Sequence, residues 1–89
     1  MAPAADPLEV KMTAFRIRYG TSEESQVGQQ TVEAALPRAA RIVRDELAAD
    51  GIDLASALAD GSIRRDSYED VVCDMVRYAI RQQADGFAY

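Results

Sequence analysis

From Val32 to about Ala49, the apolar positions Val32, Ala35, Leu36, Ala39, Ile42, Val43 and Leu47 recur at the three-and-four spacing of a helix with one buried face. Pro37 lies inside this run and removes a backbone hydrogen bond, so a kink or a break is expected near Leu36. Asp50-Gly51 supplies the stop. A second stripe reads Tyr68, Val71, Val72, Met75, Ala79 and Ile80, and predicts a helix from Tyr68 to Gln82 or Gln83. Asp66 or Ser67 is its expected cap. Glu69, Asp70 and Asp74 fall in its first half and Arg77 and Arg81 in its last turns, as the helix dipole favours. Between the two, Asp53 caps a short helix through Leu54 and Leu58 that Gly61 ends, and residues 62–66 form a loop.

The first third is less regular. Residues 1–13 hold two of the three prolines and are expected to form a flexible arm. Residues 14–19 alternate, with Phe15, Ile17 and Tyr19 on one side and Arg16 and Arg18 on the other, which predicts a short extended segment. A lone strand cannot satisfy its own backbone groups. It must pair with a strand from another subunit or lie on the helices as an irregular lead-in. Ser22 with Glu23 and Glu24 then reads as a helix start that Gly28 weakens, and Thr31 as a second N-cap. The expected fold is mainly α: a single domain over residues 14–89 with three to four helices and an extended N-terminal lead-in.

Composition narrows the function. Eighty-nine residues make one small domain, which buries only about 60% of its unfolded surface and gains from a partner that covers more. Ten basic against fifteen acidic side chains leave a net charge of −5, which speaks against an autonomous nucleic-acid-binding domain or docking on an anionic membrane. No apolar run approaches the length of a membrane span, and no signal-peptide pattern opens the chain, so an intracellularly made, non-secreted protein is expected. Without histidine and with one cysteine, His-based catalysis and an internal disulfide are excluded, and a zinc site lacks its usual ligands. The reading is therefore no enzyme, no cofactor and no metal.

Cys73 has no partner thiol and three acids nearby, and reads as an inert packing thiol. Asp70 and Asp74 share a helix face but read as a solvated pattern with the arginines that follow. Arg38, Arg41 and Arg44 make a basic stripe flanked by Glu33, Asp45 and Glu46. They form a solvated face or a contact for an acidic protein surface. Phe87 and Tyr89, beyond Gly86, either fold back on the core or reach a partner. Phe15, Ile17, Tyr19, Arg38, Arg41, Phe87 and Tyr89 are thus the candidate interface residues.

The order of segments, FRIRYG, TSEES, VEAALPRAARIVRDEL, a short middle helix and VVCDMVRYAIRQQADGF, resembles the small head-to-tail connector (adaptor or head-completion) proteins of tailed bacteriophages and prophages, particularly actinobacterial ones. Val72, Met75, Val76, Arg77, Ala79 and Gly86 occupy positions of their hydrophobic last helix, with Tyr78 inserted between Arg77 and Ala79. Nine arginines against one lysine suit a high-GC genome. The resemblance implies a structural virion protein, assembled in the bacterial host cytoplasm and located at the head–tail interface. Its partners would be the portal protein, neighbouring copies in a ring and a further head-completion or tail protein. DNA would pass only as channel cargo, and no membrane would be involved. The rival reading is a small helical regulatory, antitoxin-like module that binds protein or DNA.

Overall fold

The computed structural model describes residues 6–86, and over them the chain forms five helices and no strand. They are α1 (Met12–Tyr19), α2 (Ser22–Val27), α3 (Gln29–Ala49), α4 (Leu54–Asp60) and α5 (Arg65–Gly86). The mainly α expectation holds, with one helix more than the three to four expected. α5 is the common wall: α1, α2 and α3 all pack against it, and α4 sits against α3. Gly20 (φ 71°) and Gly28 (φ 93°) turn the chain between the first three helices in backbone conformations that other residues rarely adopt. Each amide caps the helix before it, Gly20 N–H donating to the Arg16 carbonyl and Gly28 N–H to that of Glu24, both at 2.8 Å.

The extended segment at 14–19 is not formed; those residues are helical. Phe15 and Tyr19 stand four apart, so a helix puts them on one side as readily as a strand does. Their rings meet edge to face, 5.2 Å between centroids. Ile17 is rotated outward and is 83% exposed, whereas Phe15 is fully buried. The physical reason is backbone satisfaction: with no strand to pair with among the described residues, the segment closes its hydrogen bonds internally. The arginines between the aromatics then find acids on other helices. Arg16 grips Glu24 of α2 through two 3.0 Å bonds, and Arg18 reaches Asp70 of α5 at 2.5 Å.

The described part of the expected arm also behaves differently. Val10 is buried, Leu8 packs on the core, and α1 starts at Met12, so the expected boundary between residues 13 and 14 falls inside a helix. Tyr68 holds the segment by donating its hydroxyl to the Leu8 carbonyl at 2.6 Å, and Arg65 donates to the carbonyls of Pro7 and Glu9. Here the alternation is real: Leu8, Val10 and Met12 turn inward while Glu9 and Lys11 stay exposed.

α3 runs unbroken through Pro37, so the break does not occur. Pro37 is exposed, and the one acceptor it leaves unpaired within the helix, the Glu33 carbonyl, belongs to an exposed residue. The helix ends where Asp50-Gly51 predicts. Ile52 N–H returns to Leu47 and Gly51 N–H to Ala48, the Schellman arrangement. α4 follows its Asp53 start and Gly61 stop.

On α5 the buried stripe is Tyr68, Val72, Cys73, Val76 and Ile80. Val71 and Ala79 are exposed and Met75 is half-buried, so the expected face is rotated toward Cys73. Phe15 joins Val32, Leu36, Leu54, Val72 and Val76 in one cluster. If α1 is a helix rather than a strand, Phe15→Ala should cost about 3–5 kcal/mol in urea unfolding. Ile17→Ala should stay within about 0.5 kcal/mol. Equal losses at both positions would restore the strand.

Candidate functional site

A groove of about 620 Å³ lies between the docked N-terminal segment and α3. Leu8, Val10 and Met12 form one wall, and Leu36, Pro37 and Ala40 the other. Arg41 and Arg44 stand on the α3 rim with Glu33, while Asp6, Glu9 and Lys11 line the opposite rim. Arg44 is engaged with Asp45 at 3.0 Å. Arg38 and Arg41 are exposed and enter none of the ion pairs among the described residues. Of the expected interface residues that are described, Arg41 alone lines this groove.

The others are scattered. Phe15 is consumed by the chain's own core. Tyr19 is partly covered: its ring lies under Arg77, 4.5 Å from guanidinium to centroid, and its hydroxyl reaches Asp74 at 3.4 Å. Ile17 projects into solvent, and Phe87 and Tyr89 lie outside the described residues. The sequence reading missed the groove because it placed Leu8 and Val10 in an arm. The missed signal was their alternation with Glu9 and Lys11. It also missed the outward stripe of α5, where Val71, Asp74 and Tyr78 follow one another at i, i+3 and i+7, with Val71 49% and Tyr78 65% exposed.

A polar clamp ties α2 to α5. Glu23 is 5% exposed, takes hydrogen bonds from Ser22 (3.0 Å) and Arg77 (3.2 Å), and lies 3.5 Å from Arg81. Burial alone would raise its carboxyl, but the bonds from Ser22 and Arg77 outweigh that and hold it below the usual carboxylate range. A carboxylate depressed in the folded state stabilises above its unfolded value near pH 4.3, and that stabilisation is lost as pH falls through the folded value. Glu23→Gln should therefore lower stability by about 1–3 kcal/mol at pH 7. The gap to the parent should narrow as pH falls below the unfolded value, read as converging melting curves.

Cys73 is fully buried, and burial pushes its thiol up to about 11, with Arg18 pulling down and Glu69 and Asp70 adding to the rise. The thiol should resist iodoacetamide at pH 8 in the native protein and react on unfolding, seen as a mass increment. Fast native labelling would place Cys73 at an accessible surface. Among the described residues no group of three His, Cys, Asp or Glu side chains converges as a metal site, and no helix is long and apolar enough to cross a membrane. Compared with protein-family models, curated proteins and solved structures, the chain matches none.

Proposed function

We propose that the chain is a subunit of a head-to-tail connector of a tailed bacteriophage. It assembles as a ring beneath the portal, extends the DNA channel and docks the next head-completion or tail component. The observation that carries this reading is that so small a helical domain leaves large apolar side chains uncovered on separate helices. Ile17 projects from α1, Ile42 from α3 and Val71 with Tyr78 from α5. A ring is built from heterologous contacts, in which one patch of a subunit meets a different patch of the next, so each copy must present at least two. Val71 and Tyr78 share one face of α5, and contiguous uncovered apolar surface marks a contact site. The resemblance of the segment order to phage connectors supplies the identity of the ring.

The charge suits the role. A net charge of −5 gives a channel lining that does not hold the phosphate backbone, so DNA slides past it. A regulatory module that reads DNA needs a basic helix presented to a groove. The arginines of α3 share their helix with Glu33, Asp45 and Glu46, which cancel most of that field.

The test is to mix the purified chain with its cognate portal and image the complex by electron microscopy. Ring density at the narrow end of the portal is the expected result. Tyr78→Ser and Ile17→Ser should thin that density while leaving the melting midpoint within the small shift typical of surface changes. Absence of portal binding, together with tight binding to a DNA operator, would turn the assignment to the regulatory module.

A further inference from the structure

We infer that the outward face of α5 binds the outward face of α3 of a second copy of this chain, with Ile42 of that copy seated among Val71, Asp74, Met75 and Tyr78. The inference deepens the assembly proposed above, on which it rests for the ring that the contact closes. Positions 71, 74, 75 and 78 stand at i, i+3, i+4 and i+7, the four residues that frame a hole on a helix surface. Val71 and Tyr78 are exposed at its two ends, Asp74 is exposed on one side and Met75 is half-buried on the other. Such a hole takes one side chain of a facing helix as its knob. Ile42 is the large apolar side chain that α3 leaves exposed, and it stands mid-helix.

Charge selects this occupant. Arg38 and Arg41 precede Ile42, are exposed, and enter no ion pair among the described residues; Asp45, held by Arg44, and Glu46 follow it. On α5 the order of signs is the reverse, with Asp70 and Asp74 first and Arg77 and Arg81 after them. Asp74 enters no ion pair among the described residues and accepts the Tyr19 hydroxyl at 3.4 Å. With Ile42 in the hole and the helices parallel, Arg38 and Arg41 face the acidic half of α5, and Asp45 and Glu46 face the basic half. The other exposed isoleucines fit worse. Ile17 borders a hollow with five acids against three cations, and Ile52 lies between Asp50 and Asp53. A two-fold pairing of α5 with itself, centred on this patch, sets Asp74 against its own copy.

The second copy follows from the fold. α3 and α5 pack on each other, joining Val32 and Leu36 to Val72 and Val76 in one core. On each helix the exposed set lies across from that buried stripe, so the two outward faces look to opposite sides of the domain. Ile42 of one chain cannot reach Val71 of the same chain. The contact is heterologous, the α5 side of one copy meeting the α3 side of the next, and it propagates into a ring or a filament.

The test uses two variants of the full chain, each changed at exposed positions on one face. One carries Arg38→Ser, Arg41→Ser and Ile42→Ser, the other Val71→Ser and Tyr78→Ser. Each alone should sediment as a monomer with a melting midpoint close to the parent's. Mixed, they should form a one-to-one pair that grows no further, because each supplies the face the other lacks. With 15N labelling, the first variant should shift at the Val71, Asp74 and Tyr78 amides and the second at Arg38 and Ile42. Asp74→Asn added to the first should weaken the pair by about two- to fivefold. No pairing up to about 1 mM, or either variant pairing with itself, would overturn the inference. So would shifts centred on Ile17 or Ile52. No portal is present: ring density under the portal without this pairing removes the contact alone, and pairing without portal binding removes the connector alone.

Discussion

The buried stripe Tyr68, Val72, Cys73, Val76 and Ile80 of α5 is the surface on which every early part of the chain is placed. The segment before α1 hangs on Tyr68, α1 lays Phe15 onto the stripe, and α3 brings Val32 and Leu36 to it. Because α5 comes last, the first 64 residues find their wall only after it exists. The long-range polar contacts all point the same way: Tyr68 to Leu8, Arg18 to Asp70, and Arg77 and Arg81 to Glu23. A domain of this size has little core to spare, so these clamps fix the orientation of helices that alanine-rich packing alone would leave loosely specified.

Glu23 is the sharpest case of that division of labour. Its neighbours on α2 offer few apolar anchors; Val27 is the one partly buried apolar side chain of that helix packed on the core. A carboxylate buried without partners would cost several kcal/mol. With Ser22 and two arginines around it, it becomes the peg that locates a six-residue helix too short to be stable alone. Opposite charges elsewhere in the structure, such as Arg65 with Glu69, are more exposed and contribute less.

Much of this was legible in the residues. The 3.6-residue spacing located α3 and α5, and Asp50-Gly51 and Gly61 marked the stops of α3 and α4. What failed was the choice between two periods over short windows. Phe15, Ile17 and Tyr19 satisfy an alternation, but Phe15 and Tyr19 also satisfy i, i+4, and only the tertiary partners of Arg16 and Arg18 decide between them. One step upstream, Leu8, Val10 and Met12 alternate as well, and there the chain is docked on the core without a helix until Met12. The rotation of the α5 face has a similar cause. Val71 and Cys73 both border the stripe in sequence, and the packing of the other helices buries the thiol and leaves the valine exposed. The groove was illegible because it exists only once residues 8–12 are fixed by Arg65 and Tyr68, which are distant in sequence.

The same geometry divides the surface into roles. Apolar side chains that serve the fold lie along α5's inner stripe and on the faces of α1, α3 and α4 that join its cluster, while Ile17, Ile42, Val71 and Tyr78 are exposed among the described residues. Side chains exposed singly in this way are ordinary on a domain surface, and Val71 with Tyr78 is the pair that shares a helix face. The acidic balance keeps copies apart, because at −5 they repel one another until specific contacts bring opposite charges together. On the proposed connector reading, assembly through several small, separate patches is cooperative, because a subunit is retained only where two neighbours engage it at once. That is the behaviour the proposed closed ring would require and a simple dimer would not.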